Sequence, residues 1–185
     1  MDLVFMNKFT PHFCKGYIPV AFVLSAPGND EVIAGRPTSG ATGENLEGAL
    51  TYLNACAPNL FSSTHRYDYR ITNAFSQPLA KNIATGRTEA SRTEILGEDN
   101  TERFLNDIGD CTHIILCGEK AGYLSSVLER EIFSVFCTSH IGNKGLNGKF
   151  KLSTEWKKNP PVDRRQERIR LWARKVLQGF GQGCT

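Results

Sequence analysis

The sequence predicts an α/β fold in which helices cover both faces of a central, mainly parallel sheet. Four short apolar runs are rich in β-branched or aromatic residues and end in polar residues or glycine, as buried strands do. Segments with the apolar spacing of helices lie between them, and this alternation indicates parallel pairing. We therefore expect a three-layer α/β/α domain with a four-stranded sheet. The predicted strands are residues 20–24, 69–72, 113–117 and 133–137.

The helices are predicted from apolar residues that recur on one face. The predicted helices are residues 44–56, 101–108, 120–131 and 162–177. The last of them fits a start at the two prolines 160 and 161 and an end at Gly179. Residues 76–100 are polar and weakly periodic, which predicts a loop or short helices, and such long excursions are often functional.

Length and composition favour one domain over residues 1–185, with its core at about 18–150, because 185 residues at 40% hydrophobic content suit a single core. No apolar run is long enough to span a membrane, and residues 1–13 lack the pattern of a signal peptide. We expect a cytoplasmic monomer without a membrane partner. The six cysteines include no CxxC pair, which predicts reduced cysteines and no metal site, with Cys117 and Cys137 buried in apolar runs.

Charge is concentrated near the C-terminus. The net charge is only +3, yet residues 156–178 hold eight basic residues against Asp163 and Glu167. A basic surface suits a polyanion such as nucleic acid, but a solvated helix face gives the same pattern. Both interpretations stay open from charge alone.

Polar and glycine-rich segments follow the predicted strands, where ligands bind in open parallel sheets. Residues 25–31 follow the first strand, Asn73 follows the second and His140 follows the fourth. Each alone is ordinary, but together they predict a site at one edge of the sheet. The glycine-rich segment 40–43 leads into a helix, where it either holds a phosphate or makes a tight turn.

Several of these segments, in this order, resemble the motifs of the family 4/5-like uracil-DNA glycosylases. Residues 23–31, with 35–37 and 40–43, resemble the first motif, and residues 71–73 resemble the second, base-reading motif. Residues 114–121 resemble the strand and helix before the last motif, and His140 stands where the family has its catalytic-loop histidine. The resemblance covers about residues 18–150.

The resemblance implies a cofactor-independent DNA glycosylase that flips a nucleotide out of DNA and hydrolyses its N-glycosidic bond, leaving an abasic site. His140 would donate a hydrogen bond to the pyrimidine O2, and Asn73 would read the base edge. The base pocket would comprise Ser25, Ala26, Gly28, Asn29, Thr38 and Asn73. The DNA contacts would be Gly40, Gly43, Asn143, Lys144, Leu146 and Lys149. We expect residues 141–149 to form a loop that faces the DNA, in which Leu146 either wedges into the base stack or packs under its own loop.

The sequence departs from the family at two places. Ser25 replaces the glutamate that activates water in family 4, so Asp30 is the expected catalytic carboxylate; Glu31 is an alternative, unless both are surface charges. Thr38 replaces the phenylalanine that stacks on uracil, which favours a modified pyrimidine such as a 5-substituted cytosine over uracil. The family 4 iron–sulfur cysteines are absent. The alternatives are a non-catalytic DNA-binding protein with the same fold and an enzyme acting on free nucleosides.

Overall fold

A computed structural model describes residues 9–80 and 86–184, and this part of the chain forms one six-stranded sheet. The strands are β1 (Phe9–Thr10), β2 (Phe13–Cys14), β3 (Ile18–Leu24), β4 (Tyr69–Asn73), β5 (His113–Cys117) and β6 (Ser134–Thr138). Their order is β1-β2-β4-β3-β5-β6, with β4, β3, β5 and β6 parallel and the first two antiparallel. A mixed α/β fold with a mostly parallel sheet is confirmed. The predicted number of four strands is wrong.

The two additional strands form a short hairpin on the β4 edge. Phe13 pairs with Thr72 and Cys14 with Ile71, so the hairpin covers an edge that would otherwise expose unpaired backbone groups. Each strand has only two residues, too few to make an apolar run, which is why the sequence pattern did not reveal them.

Seven α-helices surround the sheet in the described part of the chain. They are α1 (Asn29–Ala34), α2 (Ala41–Cys56), α3 (Arg92–Ile95), α4 (Glu98–Ile108), α5 (Glu119–Gly122), α6 (Asn143–Lys149) and α7 (Pro161–Gly179). The predicted helices at 44–56, 101–108 and 162–177 are confirmed. The continuous helix predicted over 120–131 is wrong, because α5 stops at Gly122, a poor helix former, and a 3-10 turn follows in which Ser126 Oγ donates to the carbonyl of Tyr123.

The core lies on both faces of the sheet. Along β3, Val20, Phe22 and Leu24 face α2 and α7, whereas Ala21 and Val23 face α4 and α5. This alternation is the two-residue period of a strand that is covered on both sides. Because helices cover both faces of the sheet, the carboxyl ends of the parallel strands are the part of it that a ligand can reach.

Two predictions about cysteine are wrong. Cys56, at the end of α2, and Cys184, beyond α7, form a disulfide rather than remaining reduced. Cys137 is exposed, because β6 is an edge strand with only partial cover, and the prediction that residues 133–137 form a fully buried strand is wrong for the same reason.

No helix in residues 9–80 and 86–184 is long and apolar enough to cross a membrane. Part of the interpretation of residues 1–13 and part of the predicted excursion at 76–100 fall on residues 1–8 and 81–85, outside the described residues. Within that excursion, residues 92–95 form the short helix α3.

Candidate active site at the carboxyl edge of the sheet

A cavity of about 200 Å³ lies where β3 and β4 end. From β3 the chain adds β4 on one side and later β5 on the other, and such a change of direction opens a crevice beyond the strand ends. At roughly 30 Å³ per water molecule, the volume corresponds to about seven waters, the scale of a single-ring base. The cavity is lined by Leu24, Ala26, Gly28, Glu31, Thr38, Thr42, Asn73 and His140.

Five residues expected at the site line this cavity: Ala26, Gly28, Thr38, Asn73 and His140. The remaining expected residues lie elsewhere. Ser25, Asn143, Lys144 and Lys149 line an adjoining groove of about 540 Å³ that His140 also borders. Asn29, Asp30, Gly40, Gly43 and Leu146 line neither the cavity nor the groove.

Asn73 is the last residue of β4 and is 3% exposed. Its carbonyl oxygen and the hydroxyl of Thr72 accept hydrogen bonds from Arg103 at 2.9 and 3.1 Å, and Asp107 holds that guanidinium at 2.7 Å. The side-chain oxygen Oδ1 is buried and has no hydrogen-bond partner among the described residues. A buried acceptor without a partner costs about 1–3 kcal/mol, so this amide is placed for a ligand that donates to it.

Thr38 combines strain with burial. It is the one non-glycine residue with a positive φ in the described chain, at 54°, which is unfavourable for a β-branched side chain. It is 2% exposed, and its hydroxyl has no hydrogen-bond partner among the described residues. Such strain, of order 1–3 kcal/mol, persists only where the surroundings hold the backbone, as they do at ligand sites.

His140 follows β6 and faces both the cavity and the adjoining groove. Its Nδ1 accepts a hydrogen bond from the backbone N–H of Gly142 at 2.9 Å. We infer from this bond that the neutral ring carries its proton on Nε2, which makes Nε2 a donor. Burial lowers the pKa of His140 below its ordinary value of 6.5, so the ring is neutral at neutral pH.

The backbone around His140 is held closely. A side chain at Gly142 would collide with the imidazole ring, and one at Gly145 would collide with the carbonyl of His140. The backbone carbonyls of the residues immediately before and after His140 each accept a hydrogen bond from a buried side chain. Trp172 Nε1 donates to Ser139 at 2.9 Å, and Asn45 Nδ2 donates to Ile141 at 2.8 Å.

Asn45 is 0% exposed and joins three elements. Besides Ile141, its Nδ2 reaches Asn143 Oδ1 at 3.0 Å, and its Oδ1 accepts from Arg165 Nε at 2.7 Å. Arg165 also pairs with Glu44 at 2.8 Å. Helices α2, α6 and α7 are thereby tied to the histidine segment. Sequence reasoning missed Asn45, whose only signal was a polar residue beside the apolar stripe of α2.

The carboxylate in the cavity wall belongs to Glu31 rather than Asp30. Glu31 Oε2 accepts from the backbone N–H of Gly28 at 3.0 Å, a bond that orients the carboxylate. Asp30 is exposed and lies against Gly40, outside the lining residues. The expectation that Asp30 is the catalytic carboxylate therefore has no support from its position.

Two of the expected DNA contacts, Leu146 and Gly43, are buried. Leu146 is 1% exposed and packs in the core, because residues 143–149 form α6 rather than a loop, so it is not available as a wedge in this conformation. Gly43 is buried and its N–H donates to the carbonyl of Gly40 at 2.9 Å, which favours the tight-turn interpretation of this segment.

Other features of the described chain lie apart from this site. A cavity of about 620 Å³ lies between α2 and α7 and contains none of the strand-end residues. Among the described residues, no three side chains of His, Cys, Asp or Glu come together as a metal site would require.

Comparison with models of known protein families finds no match to this chain, and comparison with curated proteins finds none either. The strand-end cavity is therefore the feature on which a functional assignment rests.

Proposed function

We propose that this protein is a DNA glycosylase that flips out a pyrimidine and hydrolyses its N-glycosidic bond, leaving an abasic site. The observation that carries the proposal is the meeting of Asn73, His140 and Glu31 around one cavity of about 200 Å³ at the sheet edge. This is the edge at which the sequence motifs resemble those of uracil-DNA glycosylases. DNA is the proposed partner.

His140 acts as a neutral hydrogen-bond donor to the departing base. As the bond from C1′ to the base nitrogen breaks, its electron pair moves onto the base, and the charge develops on O2. The Nε2–H of His140 stabilises that charge, since Nδ1 is already occupied by Gly142. Asn73 reads the base edge through its unpaired Oδ1, which favours a base that presents an N–H group.

Glu31 positions the attacking water and accepts its proton. Water adds its oxygen to C1′ as the base leaves, and the developing positive charge on the sugar is stabilised by the carboxylate. The base leaves as an anion. The proton taken up by Glu31 then passes through solvent to the expelled base, which restores the carboxylate and balances the charge. Glu31 thereby takes the role that the sequence assigned to Asp30.

Thr38 favours a substituted pyrimidine over plain uracil. Its buried hydroxyl has no hydrogen-bond partner among the residues that the structure describes, and by the resemblance it replaces an aromatic ring that would stack on the base. A hydrogen-bonding substituent at C5, as in a 5-substituted cytosine, would satisfy this hydroxyl. Uracil remains the second candidate substrate.

The decisive experiment measures alkali-labile sites in DNA carrying uracil or modified cytosines, with mass spectrometry of the released base. We expect release of one pyrimidine class and a loss of about 10²–10³-fold in the His140→Ala variant with DNA affinity retained. Normal DNA binding without abasic sites on any substrate would instead favour a non-catalytic DNA-binding protein. Exclusive release of uracil would contradict the role given to Thr38.

A further inference from the structure

A second cavity, of about 420 Å³, lies between α6 and the first turns of α7. Arg164, Arg165 and Arg168 enter it from one face of α7, and Asn143 and Asn147 enter it from α6. None of the residues that line it is acidic. We call it the arginine cavity.

The positive charges in the arginine cavity are only partly compensated. Arg165 is paired with Glu44 and held by Asn45. Among the described residues, Arg168 donates only to the carbonyls of Phe150 and Arg164, both at 3.2 Å. The Nε of Arg164 is buried without a partner, and its guanidinium makes no ion pair with the described residues.

Two uncompensated guanidinium groups at positions i and i+4 of a helix repel each other. An anion between them removes the repulsion and accepts charge-assisted hydrogen bonds from both. The planar donors of arginine suit phosphate oxygens, and the amides of Asn143 and Asn147 can donate to the same group.

The arginine cavity continues into the proposed active site. Asn143 lines both this cavity and the groove of about 540 Å³, and His140 lines both that groove and the base cavity. Lys144 and Lys149 also line the connecting groove. The groove also contains two acidic residues, so a polyanionic strand on this path would follow its lysines from the base cavity to the arginines.

We propose that the arginine cavity binds a backbone phosphate of the DNA strand whose base enters the active site. The proposal rests on the proposed function, since it takes DNA as the substrate. It assigns phosphate binding to Arg164 and Arg168, on the first turns of α7, and not to the exposed Arg174 and Lys175 near its end.

The test compares Arg164→Ala with Arg174→Ala, which removes one charge from the same helix outside the cavity. DNA affinity is measured by fluorescence anisotropy over a range of salt concentrations. We expect Arg164→Ala to weaken binding about tenfold and to reduce the slope of log K against log salt by about 0.9, the value for one phosphate contact. Arg174→Ala should change the slope little.

Equal effects of the two variants would overturn the proposal, because they would indicate diffuse surface charge. Equal melting temperatures of the wild type and the two variants should verify that Arg164→Ala is folded. Binding is measured on DNA without a cleavable base, which separates this test from the proposed chemistry. If no base is released but the salt slopes of Arg164→Ala and Arg174→Ala still differ, the proposed function fails and the phosphate site is supported.

Discussion

Glu31 and Asp30 are neighbours in the chain, yet their carboxylates have different surroundings. Both lie in the first turn of α1, where successive side chains are turned by about 100° around the helix axis. Glu31 therefore reaches the cavity while Asp30 is exposed against Gly40. The sequence could not choose between the two carboxylates without knowing where α1 starts. The position of Glu31 in the cavity wall favours Glu31, and the role of Asp30 stays a prediction.

Glu31→Gln should lower base release by about 10²–10⁴-fold at saturating DNA, the range for loss of a general base. The glutamine oxygen can still accept from Gly28, so the local backbone should be kept. Asp30→Asn is the matched control and should retain the rate. Single-turnover kinetics would measure both, and equal rates for the two variants would remove Glu31 from the proposed mechanism.

The pKa of His140 leads to a prediction for stability against pH. Burial lowers this pKa in the folded state below the ordinary 6.5, so below that pH the unfolded chain binds more protons. The contribution of His140 to the free energy of unfolding is fully present above pH 6.5 and is lost as the pH falls through the folded-state pKa. His12 and His113 shift in the same direction, also mainly through burial.

Urea denaturation over a pH series would measure this dependence. His140→Gln should have a shallower loss of unfolding free energy below pH 6.5 than the wild type, because one of the three histidines no longer contributes. An unchanged slope would show that His140 takes up its proton equally easily in the folded and unfolded states.

At the scale of elements, α7 supports the histidine segment from two sides. Trp172 holds Ser139, and Arg165 holds Asn45, which in turn holds Ile141. The sequence predicted this helix and its apolar stripe well, because a period of 3.6 over many residues is a strong signal. It could not predict these bonds, since they join residues far apart in the chain.

Asn45→Ala should slow base release about tenfold or more, a larger factor than any loss of DNA affinity, because His140 loses its positioning rather than its chemistry. Asn54→Ala is the control. It lies on the same helix and loses one bond, to the carbonyl of Phe61 at 2.6 Å, away from the cavity. A comparable loss of rate in both variants, after matching for melting temperature, would indicate general destabilisation instead.

The two errors in predicted helices have local causes. The resemblance predicts a loop after His140, but α6 forms there because Leu146 is buried in the core. Tertiary packing of one apolar residue outweighs weak helix propensity over such a short element. The other error is the helix predicted over 120–131, which does not continue beyond Gly122 because Gly122 and Ser126 favour a turn.

At the scale of the whole molecule, the disulfide between Cys56 and Cys184 joins the end of α2 to the chain beyond α7 across 128 residues of sequence. Cysteine spacing gave no sign of it, because a bridge between distant cysteines depends on the packing of α2 against α7. Cys56 is roughly 20 Å from Thr42 along the axis of α2, at 1.5 Å per residue. The bridge therefore acts on stability rather than on the site.

Cys184→Ser should lower the free energy of unfolding by about 2–4 kcal/mol, because a long loop is no longer constrained in the unfolded chain. Base release at low temperature should be retained. Urea denaturation with and without a reductant would measure the effect, and Cys137→Ser, which alters an exposed free thiol, is the control. Reductant should destabilise the wild type and the control but not Cys184→Ser; an equal response in all three would contradict this role.

The positive φ of Thr38 has a consequence for the laboratory evolution of this protein. Glycine or asparagine accepts that backbone conformation more easily, so a screen that selects only for heat resistance should find substitutions at position 38. The same substitutions remove the hydroxyl at the cavity wall. Substitutions at residue 38 that raise thermal stability should therefore also change substrate choice. Variants selected for stability should be assayed for base release, and variants selected for substrate choice should be assayed for stability.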